Sequence, residues 1–383
     1  MSNLEELIEK LCPDGVEYKE LSEVLTIRNG KDYKHFGEGN VPVYGSGGIM
    51  TYIDTAVYKK PSVLIPRKGS LDKLYFVQEP FWTVDTIFYT DINVDIVEPK
   101  YIFYYLQKEH LEKLNKAGGV PSLTQSVLNK VKLPVPPLEV QREIVRILDN
   151  FTFLTTELAA ELAARQKQYE YYRDKLLTPK AEIKTVELGE VCTFVRGPFG
   201  GALKKEIFKP HGYAVYEQQH AIYRTLDFRY FIDKKKFDEL KRFSIKPGDM
   251  IVSCSGTIGK TFIIPEDAPE GVINQALLKL TPHDELNVFY LQYFFENTIS
   301  KELNGVARGG AIKNVPSVSE LKAIKIPVPS LDVQERLVQV LDNFDAICSD
   351  LNIGLPAEIE ARQKQYEYYR DKLLTFKELK KEA

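Results

Sequence analysis

The fifteen residues ARQKQYEYYRDKLLT occur twice in this chain, at 164–178 and again at 361–375. Upstream of the two copies the match continues more loosely, with LPVPPLEVQREIVRILDNF at 133–151 and IPVPSLDVQERLVQVLDNF at 326–344. Matches of this length in the same order indicate a tandem duplication. The chain therefore has two related halves, and its function must explain why something is needed twice.

Each copy has the pattern of a long helix that follows a proline-rich segment. Proline lacks the N–H that a β-ladder needs, so the prolines end a predicted strand. They are Pro134, Pro136 and Pro137 in the first copy and Pro327 and Pro329 in the second. Apolar and aromatic residues then recur at steps of four and three, which is typical of a coiled-coil seam. These seam positions include Ile144, Leu148, Phe151, Tyr169, Tyr172 and Leu176, and Leu337, Leu341, Phe344, Tyr366, Tyr369 and Leu373.

The length of the predicted helices decides their partner. Roughly 40 residues at 1.5 Å each make a rod of about 60 Å, too long to bury its seam against one small domain. We therefore predict that each copy packs against the other. The rods are either a structural spacer or a ruler that holds two other modules at a fixed separation.

The two copies differ by four residues. Their offset is 193 at the prolines (327 minus 134) but 197 at the shared fifteen residues (361 minus 164). Four extra residues are close to one helical turn and form a stutter in a coiled coil. Gly354 and Pro356 fall at the same place, so we predict a kink or break there.

Composition restricts the class of protein. The chain has 383 residues, enough for two or three domains, and 44% of them are hydrophobic. No apolar run approaches the ~18 residues of a membrane span. The cysteines Cys12, Cys192, Cys254 and Cys348 are scattered, so we expect a reducing cytoplasm and no disulfide frame or metal site. The net charge of −3 means that any contact with nucleic acid must come from local patches.

The remainder of each half has the pattern of an α+β globule of about 130 to 150 residues. Short strands and turns fill 16–131, and the same order returns, much diverged, over 183–325. Asp85 and Asn274 occupy matching places in the alignment of these segments. The globules share a frame but not their surface residues, whereas the rods share almost every letter.

The sequence offers no positive sign of catalysis, and we predict no catalytic or metal-binding residues. GTIGKT at 256–261 is similar to the end of a phosphate-binding loop, but the full motif needs a glycine where this chain has Cys254. It also needs a helix after Lys260, where the pattern predicts a strand. A nucleotide-hydrolysing enzyme that uses Lys260 remains a distant alternative.

Positive charge concentrates in the second globule. Residues 196–260 contain thirteen Lys or Arg and seven Asp or Glu. Lysine and arginine neutralise phosphates without reading sequence, whereas glutamine, histidine and arginine can reach base edges. A solvated lysine-rich surface is the other interpretation. The candidate DNA-binding residues of this globule are Arg196, Lys204, Lys205, Gln218, Gln219, His220, Arg224, Ser255, Thr257 and Lys260. Those of the first globule are Arg28, Lys31, Lys34, Tyr44, Ser46, Arg67, Lys68, Ser70 and Lys73.

Four motifs carry a resemblance to a known family. They are LCPDGVEYKEL at 11–21, PVYGSGGI at 42–49, RKGS at 67–70 and, above all, the duplicated segments that begin at 133 and 326. With them, the whole chain resembles the specificity subunit (HsdS) of type I restriction-modification systems. The resemblance implies a target-recognition domain at 1–135, a spacer helix at 136–180, a second target-recognition domain at 181–328 and a second spacer helix at 329–383. The two helices would form an antiparallel coiled coil in a pseudo-two-fold tandem repeat.

The resemblance also implies a function. The subunit would not be catalytic itself, and each globule would read one half of a bipartite, asymmetric site in double-stranded DNA. The helices would set the spacing between the half-sites and dock two methyltransferase subunits, which restriction subunits would join. S-adenosylmethionine, ATP and Mg²⁺ would belong to those partners. The alternative is a coiled-coil scaffold whose two globules bind proteins, which the net acidity favours slightly.

Overall fold

The computed structural model describes residues 3–115, 121–178, 182–199, 201–254, 257–306 and 317–379. The described elements of the first half are α1 (Asn3–Leu11), β1 (Glu17–Glu20), α2 (Leu21–Val24), β2 (Leu25–Asn29), β3 (Val41–Gly45), β4 (Gly48–Ile53), β5 (Ser62–Pro66), β6 (Tyr75–Val77), β7 (Trp82–Thr83), β8 (Ile87–Ile92), α3 (Pro99–Lys108), a 3₁₀ helix (Leu111–Leu114), α4 (Gln125–Leu128), β9 (Lys132–Val135) and α5 (Leu138–Leu177).

The second half repeats this order with additions. Its elements are β10 (Thr185–Glu187), α6 (Leu188–Val191), β11 (Cys192–Arg196), a 3₁₀ helix (Lys205–Ile207), β12 (Tyr213–Tyr216), α7 (Gln218–Tyr223), β13 (Phe231–Ile232), α8 (Lys234–Glu239), a 3₁₀ helix (Lys241–Phe243), β14 (Met250–Ser253), β15 (Thr261–Ile263), β16 (Gly271–Ile273), β17 (Leu277–Pro282), α9 (Val288–Val306), α10 (Val318–Ala323), β18 (Lys325–Pro327), α11 (Leu331–Ser349) and α12 (Leu355–Leu373).

The sheets of the two halves correspond strand for strand. The first half has a four-stranded sheet ordered β2-β8-β5-β6 and a three-stranded sheet ordered β4-β3-β7. The second half has β11-β17-β14-β15 and β13-β12-β16. In both three-stranded sheets the central strand pairs with one neighbour antiparallel and with the other parallel. A two-stranded sheet, β1-β9 or β10-β18, joins the start of each globule to the segment before its long helix.

The chain forms two compact units that are not its two halves. The first unit is Met1–Ala160 with Ala357–Ala383, and the second is Glu161–Pro356. The two cuts fall within one residue of equivalent points of the duplication, because 357 minus the offset of 197 is 160 and the other cut precedes residue 161. Each unit therefore combines one globule, the first part of the helix that follows it, and the last part of the other copy's helix.

Within each unit the two helical parts contact each other at predicted seam positions. In the first unit, the Phe151 ring of α5 stacks on the Tyr369 ring of α12, with centroids 5.5 Å apart. In the second unit, Tyr169 and Tyr172 of α5 stack on Phe344 of α11, each with centroids 6.1 Å apart.

The pairing in the second unit is antiparallel. Arg165 lies near Cys348, whose thiol pKa its charge lowers slightly against a larger rise caused by burial. Further along α5, Leu176 shares a hydrophobic core with Leu337 and Leu341, near the start of α11. Residue numbers therefore rise along one helix as they fall along the other, and the predicted fold class is confirmed.

A buried glutamine fixes each long helix to its globule. Gln141 accepts a hydrogen bond from the Glu98 N–H at 2.8 Å and donates to the carbonyls of Ile96 and Pro136 at 3.0 and 2.7 Å. Gln334 makes the same three contacts in the second unit, with Asn287 N–H and the carbonyls of Glu285 and Pro329. Neither side chain is exposed to solvent.

The predicted break in the second long helix is confirmed. Helix α11 ends at Ser349 and α12 begins at Leu355. Between them the Asp350 carboxylate accepts the N–H groups of Asn352 and Ile353 at 2.6 and 3.1 Å. A Cβ on Gly354 would lie 2.4 Å from the carbonyl oxygen of Ala346, so the close turn requires glycine.

Local backbone geometry ends two of the helices. Helix α3 begins at Pro99 and ends at Lys108. His110 then adopts a left-handed conformation, with φ at 49°, and breaks the helical path. At the other end of the chain, residues after α12 leave the helix, and Glu378 pairs with Val16 of the same unit.

Candidate nucleic-acid interface

In the first unit the segment 83–86, between β7 and β8, brings several predicted DNA-binding residues together. The Lys31 N–H donates to the Thr83 carbonyl at 2.8 Å. The Tyr44 carbonyl accepts from the Val84 N–H at 3.0 Å. Burial raises the pKa of Tyr44, so its hydroxyl remains protonated at neutral pH and available as a donor.

The other side of the same segment holds two turns. The Ser46 N–H donates to Thr86 Oγ1 at 3.3 Å, and the N–H groups of Arg67 and Lys68 donate to the Thr86 carbonyl at 2.9 and 3.2 Å. A Cβ on Gly69 would lie 3.3 Å from Ser46 Oγ, so the turns at 46–47 and 67–70 are neighbours. We call the group Lys31, Tyr44, Ser46, Arg67 and Lys68 the first rim.

The remaining candidates of this unit lie further along its loops. Lys73 donates its N–H to the Ser70 carbonyl at 3.3 Å, at the end of the 67–70 turn. Lys34 is exposed on the loop between β2 and β3. Arg28 is instead engaged, because its guanidinium lies 3.8 Å from the Asp91 carboxylate. Within the described parts of the chain, the side chains of Lys31, Lys34, Arg67, Lys68 and Lys73 form no ion pair.

The second unit has the same backbone arrangement at 273–276. The Asn274 N–H donates to the Tyr216 carbonyl at 2.9 Å, as Val84 does to Tyr44. The Cys254 N–H donates to the Ala276 carbonyl at 2.9 Å, as Arg67 does to Thr86. Structurally, Asn274 therefore corresponds to Val84, and the predicted match of Asn274 with Asp85 was wrong by one residue.

We call the backbone arrangement shared by 83–86 and 273–276 the frame. The two units place different side chains on it. Asp85 is equivalent to Gln275, and both side chains are exposed. Arg67 is equivalent to Cys254, whose burial raises its pKa to about 11, so the position is neutral in the second unit. The frame itself is tight, because a Cβ on Gly30 or Gly197 would lie 2.0 or 1.8 Å from the carbonyl oxygen of Val84 or Asn274.

The polar side chains Gln219, His220 and Arg224, which were predicted to reach base edges, bond within the unit. His220 is fully buried in α7, where its Nδ1 accepts the Glu217 N–H at 2.8 Å and its Nε2 lies 3.1 Å from the Asp227 carbonyl. Burial lowers the pKa of His220, so the ring stays neutral. Gln219 donates to the same Asp227 carbonyl at 3.3 Å.

Arg224 is directed towards α9. It ends α7 in a left-handed conformation, with φ at 51°, and its guanidinium lies 3.2 Å from the Glu296 carboxylate. Gln218 is half-buried at the first position of α7. His220 thus has a structural role, and the group of four does not form one exposed surface.

The positive charge of the second unit is partly neutralised. Five of its thirteen predicted cations lie in ion pairs, namely Arg224, Arg229, Lys234, Lys236 and Lys241. Among described residues, Arg196, Lys204, Lys205 and Lys260 have no such partner, and all four are exposed. Thr257 is exposed as well, whereas Ser255 lies outside the described residues.

The turn before Lys260 is not a phosphate-binding loop. Residues Thr261–Ile263 form β15, as the pattern predicted, whereas a phosphate-binding loop would be followed by a helix. The Ser253 hydroxyl and carbonyl bond the turn's backbone through Lys260 N–H and Gly259 N–H, at 3.0 and 2.9 Å. Lys260, at the end of the connection between β14 and β15, is exposed to solvent.

Among the residues that the structure describes, no helix is both long and apolar enough to cross a bilayer. In the same residues, no group of three or more His, Cys, Asp or Glu side chains is placed to hold a metal ion.

Two exposed side chains were not among the predicted candidates, namely Gln275 and Phe199. We call the group Arg196, Lys204 and Gln275 the second rim. Gln275 itself was not selected, because the alignment placed Asn274 at its position. Phe199 is 96% exposed on the loop 197–201, close to Arg196. The run GPFGG could have indicated it, since glycines on both sides of an aromatic residue predict an exposed loop.

Comparison with known proteins identifies the family of the two repeated domains. The family model described as the type I restriction modification DNA specificity domain matches the chain twice, at residues 13–165 and 180–361. The chain belongs to this family of type I specificity proteins. Its two matched domains coincide with the two globules and the helical parts that follow them.

Relatives within the specificity family match along most of their length. A putative type I restriction enzyme specificity subunit of Haemophilus influenzae is 35% identical, over 98% of this chain and all of the relative. A type I restriction enzyme specificity subunit of Escherichia coli is 34% identical, over 72% of this chain and 70% of the relative. The HsdS subunit of Thermoanaerobacter tengcongensis has the same fold, with a TM-score of 0.57 at 18% identity, over 95% of this chain and 97% of that structure.

Proposed function

We propose that this chain reads a bipartite DNA sequence for a type I restriction-modification complex, one half-site with each unit. The observation that carries the proposal is the repeated frame at 83–86 and 273–276. The backbone bonds are the same in both units, but the side chains around them differ. Two readers of unlike half-sites need this combination, because phosphate contacts position a protein whereas different side chains read different bases.

The candidate surface also has the charge that the function needs. Around both rims, exposed lysines and arginines stand without acidic partners among the described residues, although the whole chain carries a net charge of −3. Local positive charge releases counterions from DNA and gives the affinity a salt dependence. A scaffold that binds proteins through its globules would not need it at this place.

The proposal extends to the partners. The paired helices would set the gap between half-sites and dock two methyltransferase subunits, with restriction subunits joining that assembly. S-adenosylmethionine, ATP and Mg²⁺ would be bound by those subunits, and this chain would be non-catalytic. Because the two helix copies share the identical residues 164–178 and 361–375, two copies of one partner would find similar docking surfaces.

Binding to duplexes at several salt concentrations tests the proposal. The chain is assembled with its methyltransferase, and the methylated sequence is mapped in DNA from cells with and without this chain. We expect an interrupted sequence to lose methylation when the chain is absent. For the purified complex, the slope of log K against log salt is negative. Lys204→Ala with Lys205→Ala should make it shallower by about 1.8, at ~0.9 for each lost phosphate contact.

Paired lysines of the same unit provide the control. Lys236 and Lys241 lie 2.9 and 3.9 Å from Glu239 and Glu270. Their replacement by alanine should leave the salt slope within about 0.5 of the wild type. A complex whose affinity for duplexes does not depend on salt, and whose loss changes no methylation, would favour the protein scaffold instead.

A further inference from the structure

Phe199 is an almost fully exposed aromatic residue close to the end of β11, with 96% of its surface exposed. The backbone just before it is anchored to β17, because the Gly197 N–H donates to the Leu277 carbonyl at 3.0 Å. The Ala202 N–H donates to the Phe199 carbonyl at 2.9 Å. The Phe199 ring is therefore accessible to a partner, and its surroundings decide which partner it fits.

A pocket lies behind the ring. Its volume is about 180 Å³, comparable to protein cavities that hold a six-membered aromatic ring. Phe208 and Tyr230 form one side of it, stacked with centroids 4.3 Å apart. The Arg229 guanidinium lies 4.9 Å from the Tyr230 ring centroid, so this wall joins stacked aromatic rings to a cation, as in surfaces that bind nucleic-acid bases.

The other side of the pocket is polar. Asn274 and Gln275 contribute amides, which have both donors and acceptors for a base edge. Glu217 contributes a carboxylate, but Arg229 lies 2.7 and 3.0 Å from its two oxygens and offsets the charge. The pocket lining thus combines stacking and hydrogen-bonding groups without an uncompensated negative charge.

Charge decides which partner the loop fits. Residues 196–205 contain Arg196, Lys204 and Lys205 and no acidic residue. The three cations are exposed and, within the described residues, have no ion-pair partner. An apolar ring between cations matches a polymer with a negative backbone and stacked apolar bases, which is nucleic acid.

We propose that Phe199 enters the base stack of the half-site read by the second unit, as an apolar wedge. The polar side of the adjoining pocket then contacts the edge of the base that the wedge exposes. The proposal rests on the DNA-reading function proposed above and adds a mechanism to it. A wedge enters most readily at pyrimidine–purine steps, which unstack easily, so we expect a TA, CA or TG step in this half-site.

Fluorescence of 2-aminopurine tests the wedge in the assembled complex with its methyltransferase. The probe replaces each purine of the mapped half-sites in turn, except the methylated adenine, which a methyltransferase takes out of the stack by itself. We expect a rise in fluorescence at one position of the second unit's half-site. Phe199→Ala should abolish that rise and weaken cognate binding roughly 10- to 100-fold with an unchanged salt slope, whereas Phe199→Trp should keep the binding.

The controls separate this inference from the proposed function. Because Phe199 is exposed, its replacement should leave the thermal midpoint unchanged. Lys204→Ala with Lys205→Ala should lower the salt slope and keep the fluorescence rise. If Phe199→Ala binds and unstacks the duplex as the wild type does, the wedge is wrong and the reading function stands. If the wild-type complex itself shows no preference for any duplex, the function proposed for the chain fails.

Discussion

The two units differ most at one connection in otherwise matching sheets. In the first unit β3 and β4 are joined by a tight turn at 46–47, and β4 presents the exposed side chains of Ile49, Met50 and Tyr52. In the second unit the equivalent strands β12 and β13 are separated by residues 217–230, which include α7. The strand pairing is retained on both sides of this insertion. The surface around each rim thus varies while the frame beneath it stays the same.

The junctions between globule and helix show the opposite behaviour. Besides the two glutamines, the Tyr101 hydroxyl donates to the Pro134 carbonyl at 3.0 Å, and Tyr290 donates to Pro327 at 2.9 Å. These contacts are the same in both units because both helices must leave their globules in the same way. The duplication therefore separates positions that hold the frame from positions that are free to read DNA.

The largest effect should come from breaking the common junction. Gln141→Leu leaves the buried Glu98 N–H and two carbonyls without partners, so we expect a loss of about 3 kcal/mol or more in the free energy of unfolding. Gln334→Leu should cost the same in the second unit. Urea denaturation measures both, followed by circular dichroism and by the fluorescence of Trp82, the only tryptophan of the chain.

An exposed glutamine serves as the control for these substitutions. Gln78 is exposed between β6 and β7, and Gln78→Leu should change the unfolding free energy by less than about 0.5 kcal/mol. A large difference between Gln141→Leu and Gln334→Leu would show that the two junctions are not equivalent, in spite of their matching hydrogen bonds.

A smaller effect is expected from the two glycines that lie against the segments 83–86 and 273–276, one in each unit. Alanine at Gly30 or Gly197 would place a Cβ within 2.0 or 1.8 Å of a backbone carbonyl oxygen, which has to move. We expect each substitution to lower the unfolding free energy by about 2 to 3 kcal/mol, the usual cost of overpacking. The matched control is Gly47→Ala, where no atom lies within 4 Å of the added Cβ. Equal stability of Gly30→Ala and Gly47→Ala would contradict the close approach at 83–86.

The sequence predicted the frame better than the surface, for a physical reason. The paired helices, the break near Gly354 and the repeated order of elements along the chain follow from periodicity, proline and the internal repeat, which are local or repeated signals. Which cations remain free depends on distant partners. Lys241 pairs with Glu270 and Arg224 with Glu296, and both acids lie outside the window 196–260 whose charge was counted.

His220 illustrates the same limit at the candidate site. A histidine beside two glutamines was a reasonable candidate for base contacts, but its exposure depends on the rings of Tyr216 and Phe228, with centroids 5.4 and 4.6 Å from it. Residue spacing alone does not show that these rings cover it. Similarly, the pocket behind Phe199 is formed by Tyr230 and Asn274, which are remote in sequence.

The smallest effect is the pH dependence that His220 gives to the unfolding free energy of the second unit. Burial lowers the pKa of His220 in the folded chain, whereas the unfolded chain keeps a pKa near 6.5. Below about pH 6.5 the unfolded state therefore binds the proton more readily, and stability falls as the pH falls. The loss should not exceed about 1.4 kcal/mol per pH unit. It is measured as the difference in unfolding free energy between wild type and His220→Gln at pH 8, 7, 6 and 5.5.

The sign follows from the neighbours of the ring as well as from its burial. The Glu217 carboxylate and the two backbone carbonyls favour the protonated ring, and Arg229 disfavours it, but desolvation is larger than each of them. If the wild type instead gained stability relative to His220→Gln on acidification, the ring would be charged in the fold. The conclusion that His220 is a neutral, structural residue of α7 would then be wrong.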